Sequence, residues 1–472
     1  MRVLLVSHNF LPAHAAGTEI YTGELALGLR ALGHEVAVFT TDKDVSRADM
    51  SVVRREWQGV EVVELVNNLY HRAFRETWDN PRAESVFAAE LARLRPEVVH
   101  FQHLMYLSIG CVEAAARSGA AVAFTLHDFW LHCARFGQRL HPDGARCEQL
   151  DFARCGSCLS TFKFRQTALE RVTGRALSAL RRGTGVDFSG AAKRAARGLR
   201  ISGRPRSREW IEADAGAAAE LSQAVAERDS AMRERVLPWV QRFFAPSRFL
   251  AERFVEWGIE RARIEWLPTG LELAKFPAEL RRHAAGSQRP LRIGFLGTLA
   301  PHKAPHLLLR AWASLEPTLR ARATLELRGK AQADTEFQSQ LEELARGSSA
   351  VVGDAMPRDE VPRWLADLDL LVVPSLWFEN APMVILEALA TRTPLLVSAL
   401  GGMAELVELG VSGFHVAPGD VDALAGELRG ILSEPERLTS LYPRGAIARD
   451  VADNARRHIA VYEELRAGLA AR

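Results

Sequence analysis

Long apolar runs are missing from this 472-residue chain: segments such as Met1–Val6 and Leu368–Val373 fall well short of a membrane-spanning helix, which needs ~18 residues. A charge excess is missing too. Sixty basic residues stand against 58 acidic ones and leave a net charge of +2, a balance that gives no support to a nucleic-acid partner. Cysteine is scarce, five residues in all, which argues against a disulfide framework. Met1 leads directly into a strand-like run with no charged region, long apolar stretch or cleavage site. No signal peptide is therefore expected, and the chain is read as cytoplasmic. What is present is an ordinary globular composition, 48% hydrophobic and 25% charged. That excludes a disordered or collagen-like polymer and is long enough for two or three domains at ~150 residues each.

The pattern along the chain is one of alternating strands and helices. Arg2–Ser7 reads as a buried parallel strand, Glu19–Leu32 as an amphipathic helix closed by Gly33, and His34–Thr40 as the next strand, one βαβ unit. The alternation continues through Val98–Gln102, Cys111–Ser118 and Ala121–Leu126. Phe162–Val236 then changes texture, rich in Ala, Arg and Glu and poor in β-branched residues, and is read as a helical insertion. Alternation resumes at Phe243–Ser247, followed by a helix to Trp257 and a short strand at Arg263–Leu267. Lys275–Pro290, with Pro, Gly and charge but no hydrophobic period, reads as a domain linker. A second series follows, with strands at Leu291–Leu296, Ala323–Arg328, Ala350–Val352, Leu368–Val373 and Pro394–Ser398, and Pro435–Arg472 reads as helical. Two doubly wound domains place a ligand beyond the carboxyl ends of their strands.

The sharpest local signal is Pro374-Ser-Leu-Trp-Phe-Glu379-Asn-Ala-Pro-Met-Val-Ile-Leu-Glu387. A buried strand is expected to end at Pro374, and a helix to begin near Asn380 with Pro382 in its first turn. Free N–H groups around Met383 and Val384 then form an anion site at the helix mouth, between two carboxylates. That sequence suits a sugar, a diphosphate and a ribose. By spacing alone it equally suits an ordinary helix with Glu379 near its cap and Glu387 on a solvated side.

The segment resembles the Glu-x7-Glu motif of retaining glycosyltransferases of family 4, which have the GT-B fold. Other stretches resemble that family in the same order: Asn9-Phe-Leu-Pro with Ala16-Gly-Thr-Glu-Ile-Tyr21, Ala245-Pro-Ser-Arg-Phe-Leu250, Leu267-Pro-Thr-Gly270, Gly294-Phe-Leu-Gly-Thr-Leu-Ala-Pro-His-Lys303, and Gly401-Gly402 followed by Glu405. The resemblance implies an α/β fold with two doubly wound Rossmann-like domains facing across a cleft. The first, acceptor-side domain would span 1–276, with the insertion at about 162–236. The second, donor-binding domain would span 289–440, and a final helix, 441–472, would pack back on the first.

The family's roles then fall on particular positions. Glu379, His127 and Lys303 would be catalytic, with Lys303 neutralising the departing diphosphate. Gly17, Gly297, Thr298, Lys303, Arg328, Asn380, Ala381, Pro382, Met383, Val384 and Glu387 would hold the donor, a UDP-, GDP- or ADP-sugar. Thr298 stands where many relatives carry an arginine, and Arg328 is the candidate to replace that charge. His100 and His103 are expected only to shape the acceptor cleft. The implied reaction moves the sugar to a hydroxyl of a glycan or lipid-linked acceptor, in surface polysaccharide synthesis, with no cofactor or metal in the catalysis. Two other readings remain: a catalytically inactive nucleotide-sugar-binding subunit and an epimerase of the same fold.

Two features stand outside that resemblance. Cys133, Cys147, Cys155 and Cys158 end in a Cys-x2-Cys pair, which reads either as a structural zinc site or as four reduced cysteines. From Lys163 to Arg208 thirteen Lys and Arg oppose two acids, interleaved with Phe164, Leu169, Val172, Leu177 and Leu180. This stretch, 162–208 with Phe162 at its head, reads either as a solvated basic face or as a foothold on an anionic membrane surface, which would make the protein peripheral on the inner face of the membrane.

Overall fold

The computed structural model describes residues 1–162, 167, 169–170, 172–174, 176–177, 180, 215–276, 289–331, 335–441 and 449–471. Among the described residues the first half builds an eight-stranded sheet. Its strands are β1 (Arg2–Val6), β2 (Glu35–Asp42), β3 (Val52–Trp57), β4 (Val60–Val66), β5 (Val98–Phe101), β6 (Ala121–Thr125), β7 (Arg242–Ala245) and β8 (Ile264–Trp266). They lie in the order β3-β4-β2-β1-β5-β6-β7-β8, parallel except for the antiparallel β3–β4 pair. After β9 (Gly270–Leu271), the second half forms an all-parallel sheet from β10 (Leu291–Leu296), β11 (Ala323–Arg328), β12 (Val351–Gly353), β13 (Leu370–Val373), β14 (Leu395–Ser398) and β15 (Gly413–Val416). Its order is β12-β11-β10-β13-β14-β15. The inner strands are runs of Val and Leu buried on both faces, as helix-covered parallel sheets require.

The order of strand addition reverses beside β1 in one sheet and beside β10 in the other, because successive strands are laid down on opposite sides of each. Loops leaving such a switch point open a crevice at the carboxyl ends of the strands. The loops after β1, β5 and β6 come from the first sheet; those after β10 and β13 come from the second.

Several expected elements fall elsewhere or were not anticipated. The β3–β4 hairpin turns through Gln58 and Gly59, both with positive φ (48° and 78°), the two-residue turn that matches strand twist. The helix expected near Asn380 starts instead at Met383 and runs to Ala390. Pro382, extended at φ −64° and ψ 123°, stands just before it rather than in its first turn. Of the segment expected to be a helical insertion, about 162–236, Ala215–Arg235 is a 21-residue helix; most of 163–214 lies outside the described residues, as do 277–288 of the expected linker. Ala215–Arg235 packs on the helix Phe152–Ser160 at Gly156, where a Cβ would come within 2.1 Å of Ser222 Oγ and 2.3 Å of the Ala218 carbonyl oxygen.

The segment expected to be helical from Pro435 is broken. After residues 442–448, which are not described, β16 (Arg449–Asp450) pairs with β9 and leads into the helix Val451–Ala470. That helix lies on the helix Gly17–Ala31. Tyr21 donates its hydroxyl to Asn454 Oδ1 at 3.2 Å, and Tyr462 meets His100 Nδ1 at 2.6 Å. His100 is thus fully buried beneath the last helix, its Nε2 2.8 Å from Thr125 Oγ1. Among the described residues no helix is long and apolar enough to cross a membrane.

Candidate active site

The loop after β13 carries Ser375, Trp377 and Glu379 on an irregular path, so that three donors reach one oxygen. Glu379 Oε1 accepts from Ser375 Oγ at 3.0 Å, from Trp377 Nε1 at 2.8 Å, and from the Lys303 ammonium. Lys303 arrives from the loop after β10, which is tied to the β13 loop where Leu376 N donates to the His302 carbonyl oxygen at 2.8 Å. Its Nζ also lies 5.2 Å above the Trp377 ring. Burial alone would raise the Glu379 carboxyl. The Lys303 charge and the hydrogen bonds outweigh it and hold the group below the ordinary carboxylate range. His302 packs against Trp377 with the ring centroids 4.5 Å apart and the planes tilted by 56°, and burial together with Lys303 pushes its imidazole down to about 4, hence neutral.

Asn380 bridges to the other half. Its side-chain amide donates to the His127 carbonyl oxygen at 2.9 Å, and its own Oδ1 is buried without a hydrogen-bond partner. His127, at the end of β6, has its Nε2 2.9 Å from Gln102 Oε1 and its ring edge-on to Tyr21 at 5.1 Å. Burial, aided by the nearby His103 ring, pushes His127 down to about 3, so it is neutral at pH 7. Beside it His103 Nε2 pairs with Asp128 Oδ2 at 3.1 Å and packs 4.4 Å from the His8 ring. Burial opposes the ionised Asp128, but His103 and the Trp130 N–H hold its carboxyl below the usual range.

Within the second half, the close packing of the Glu379 loop on the next helix needs glycine. A Cβ on Gly402 would fall 1.7 Å from the Asn380 carbonyl oxygen, and Gly402 N donates to the Glu379 carbonyl oxygen at 2.7 Å. Three residues on, Glu405 reaches across to the first half. Its two oxygens accept from Arg248 N and Phe249 N, each at 2.8 Å, satisfying free donors at the start of the helix Arg248–Trp257. Gly17 opens the first helix opposite the second half, where a Cβ would stand 3.9 Å from Met383 Cγ.

The remaining expected residues fall as follows. Glu387 is buried on the helix Met383–Ala390 and ion-paired with Arg358, a partner not anticipated from the sequence. Gly297 donates to the Arg328 carbonyl oxygen at 3.0 Å, and Thr298 follows as an exposed residue. Arg328 is held by Glu326, its Nε donating at 2.7 Å, while the other Glu326 oxygen accepts from Trp364 Nε1 at 2.9 Å. Ala381 and Pro382 line the extended approach to Met383 and Val384, all four half-buried. Gln102, Trp377 and His302 were missed. Their signal, strand-end polar and aromatic side chains in loops, is weak in a single sequence. Cys133, Cys147, Cys155 and Cys158 are free thiols away from this cleft. Among the described residues no three His, Cys, Asp or Glu side chains already stand in a metal-holding arrangement.

Known proteins share both halves. Residues 15–171 match the family described as Glycosyltransferase Family 4, and residues 278–446 match Glycosyl transferases group 1. D-inositol 3-phosphate glycosyltransferase of Kribbella flavida is 31% identical over 215 residues, 43% of this chain and 50% of that protein. Lipopolysaccharide 1,2-N-acetylglucosaminetransferase of Salmonella typhimurium is 27% identical over 208 residues, 42% of this chain and 54% of that one. The chain thus spans about half the length of the curated relatives it matches. Among solved structures, Anabaena Alr3699/HepE in complex with UDP and glucose superposes with a TM-score of 0.58 at 15% identity, covering 98% of this chain and 99% of that one. Trehalose-6-phosphate from E. coli bound with UDP-2-fluoro glucose gives a TM-score of 0.61 at 13% identity, over 98% and 99% of the two chains. These last two likenesses establish the fold. With the two family matches lying in order along the chain, one on each half, the protein belongs to glycosyltransferase family 4 and has the GT-B fold.

Proposed function

We propose that this protein transfers a sugar from a nucleoside-diphosphate donor to a hydroxyl of a glycan or lipid-linked acceptor, with retention at the anomeric carbon and without a catalytic metal. The observation that carries the reading is the Lys303–Glu379 pair, held on the second half and joined through Asn380 to the backbone of His127 on the first. A cation and a carboxylate stand on loops of the second half, one of which Asn380 ties to the strand end that carries a neutral imidazole. The Kribbella and Salmonella relatives are named as glycosyltransferases, and the Anabaena neighbour holds UDP and glucose; these names support the same chemistry here.

In this reading residues 1–276 form the acceptor side and 289–440 the donor side. The diphosphate settles against Lys303, the Gly297–Thr298 turn and the N–H groups that open the helix at Met383. Lys303 exchanges part of its contact with Glu379 for the phosphate oxygens. Its charge is worth most as the bond from the anomeric carbon to the phosphate oxygen lengthens. The acceptor oxygen then bonds to that carbon from the same face, and its proton passes to the departing phosphate oxygen, leaving glycoside and nucleoside diphosphate. All three donors to Glu379 bind Oε1, so Oε2 serves the sugar hydroxyls. Neutral His127 orients the sugar without adding charge. Glu387 receives the ribose hydroxyls beside Arg358.

The test is a thermal-shift screen of UDP-, GDP- and ADP-sugars, followed by release of nucleoside diphosphate on adding lipid-linked glycans. A ligand at a hundred times its Kd stabilises the fold by ~2.7 kcal/mol. One donor class is expected to stabilise and to turn over, with the product's anomeric configuration read by NMR. Exposed Thr298, with Arg328 engaged by Glu326, favours the second reading, a donor-binding subunit without turnover. Donor binding with no release that Glu379→Ala alters would establish that reading instead. A place on the cytoplasmic membrane face, in surface polysaccharide synthesis, is the matching cellular proposal; vesicles of anionic lipid that fail to sediment the protein at low salt would remove the membrane part.

A further inference from the structure

Just beyond the carboxyl ends of three neighbouring strands, β1, β5 and β6, stand His8, His103 and Asp128. The two histidine rings have their centroids 4.4 Å apart, and His103 lies 5.6 Å from the Trp130 ring. Tyr106 continues the row at 6.2 Å from His8, and Phe136 meets Tyr106 edge-on at 6.3 Å. Phe162 in turn lies edge-on to Phe136 at 4.7 Å. The row thus leads from the buried strand ends out to Phe136, which is 38% exposed. The donor chemistry gives neither these rings nor the Asp128 carboxylate a task.

We propose that Asp128 and this aromatic row form the seat of the acceptor, and that the seat takes an uncharged sugar ring with hydroxyls on adjacent carbons rather than a phosphorylated one. Naming that sugar the acceptor rests on the transferase reading; the seat itself does not. The carboxylate is the first argument. Asp128 Oδ1 accepts from the Trp130 N–H at 2.7 Å, and Oδ2 lies 3.1 Å from His103 Nε2. His103 Nδ1 accepts from Met105 N at 2.9 Å, so the ring proton sits on Nε2 and is donated to Asp128. Each carboxylate oxygen keeps a further lone pair, and 33% of the side chain is open to solvent. An ionised carboxylate oriented in this way accepts from two neighbouring hydroxyls through charge-assisted bonds. The same charge repels a phosphate.

The rings are the second argument. A sugar presents C–H groups on its faces and hydroxyls at its rim, so aromatic side chains around a few fixed polar atoms suit it. Tyr106 and Phe136 both sit at positive φ, 65° and 51°, a left-handed backbone that bulky side chains adopt rarely and at a cost. Residues held in such conformations cluster at ligand sites. Each of the two is tied down. Asn67 Nδ2 donates to the Tyr106 carbonyl oxygen at 2.6 Å. Gly137, next to Phe136, packs so closely that a Cβ on it would fall 2.6 Å from Asp128 Oδ1. That contact sets the turn carrying Phe136 against the carboxylate. Asp128 follows His127 directly, so a sugar bonded to its carboxylate lies one residue from the imidazole that orients the donor sugar.

The test reads sugar binding without a donor, by saturation-transfer NMR on the full chain. The probes are methyl glycosides of glucose, galactose, mannose and N-acetylglucosamine, and the corresponding sugar phosphates. At least one uncharged glycoside is expected to receive saturation at its ring protons and to bind more tightly than its phosphate. Asp128→Asn, which keeps the size and loses the charge, and Phe136→Ala are each expected to weaken that glycoside by ~10-fold. Should Asp128→Asn fail to fold, Phe136→Ala, at an exposed ring, decides. Trp239→Phe, on the turn before β7, is expected to bind as the unaltered chain does. Octyl glycosides beside the methyl ones tell a lipid-linked acceptor from a free glycan: the octyl form binds more tightly in the first case and equally in the second. No glycoside bound, a phosphate bound more tightly than its parent, or both variants binding like the unaltered chain would overturn the seat. A nucleotide sugar that still stabilises the fold would then leave the transferase reading intact, whereas glycoside binding without any nucleotide-sugar binding would remove that reading and keep the seat.

Discussion

Asn380 holds His127 by its backbone: the side-chain amide of one residue donates at 2.9 Å to the carbonyl oxygen of the other, across 253 positions of sequence. The bond ties the loop that carries Glu379 to the strand end that carries His127. Replacing the amide by a carboxylate sets two acceptors against each other. Asn380→Asp is therefore expected to lower kcat/KM for the donor by ~10²-fold, with the mature fold retained. Steady-state kinetics beside a thermal melt separates this from simple unfolding; unchanged kcat/KM would show that the bridge is dispensable.

Lys303 matters to Glu379 in two measurable ways. Lys303→Ala removes the charge that meets the diphosphate, with an expected loss of ~10²–10³ in kcat. It also lets the Glu379 carboxyl rise, because burial is then less opposed. A carboxyl held low by folding stabilises the protein above its unfolded pKa, and that contribution is lost as pH falls through the lower folded value. The variant should thus be less stable than the parent by ~2 kcal/mol at pH 7, with the gap closing toward pH 3. Denaturant melts at several pH values check the direction.

Glu24 behaves in the opposite sense. It sits on the helix Gly17–Ala31 with Oε2 buried and unpartnered, and burial lifts its carboxyl to about 7. The charges of Arg358 and Lys275 lower it, while Glu272 and Glu387 raise it further. Because the folded pKa exceeds the unfolded one, the favourable contribution is present in acid and disappears as pH rises through about 7. Glu24→Gln is expected to flatten that fall and to gain at most ~3 kcal/mol at pH 8. Equal slopes of Tm against pH for the two proteins would contradict it.

Gly402→Ala and Gly426→Ala form a matched pair. The first places a Cβ 1.7 Å from the Asn380 carbonyl oxygen, whereas the second, on the helix Val421–Ser433, meets nothing within 4 Å. Gly402→Ala is expected to displace the Glu379 loop and abolish donor binding. Gly426→Ala is expected to bind normally and to be more stable by ~0.5–1 kcal/mol. Isothermal titration with the donor and a melt for each protein provide the comparison.

Much of this architecture was legible because parallel strands are written as compact apolar runs. Leu291–Leu296 and Ala323–Arg328 appear at the residues their hydrophobicity marks. The β3–β4 hairpin was not legible, since Arg54, Arg55 and Glu56 interrupt the apolar pattern on a strand at the sheet edge. The start of the helix Met383–Ala390 was displaced because Pro382 fits an extended residue before a helix as readily as its first turn. Lys303 and Glu379 could be named from motifs. Arg358 beside Glu387 and Gln102 beside His127 depend on contacts between distant segments, which one chain does not write in any local pattern.

The closing helix, Val451–Ala470, makes the first half of the molecule discontinuous in sequence. Its Tyr462 and Asn454 complete the surroundings of His100 and Tyr21 near the amino terminus. Chimaeras that exchange donor preference between relatives must therefore splice twice and carry this helix along with the recipient's opening segment. A single junction near residue 289 would pair a foreign terminal helix with Tyr21 and His100, and the graft would fail at that seam rather than at the sugar site.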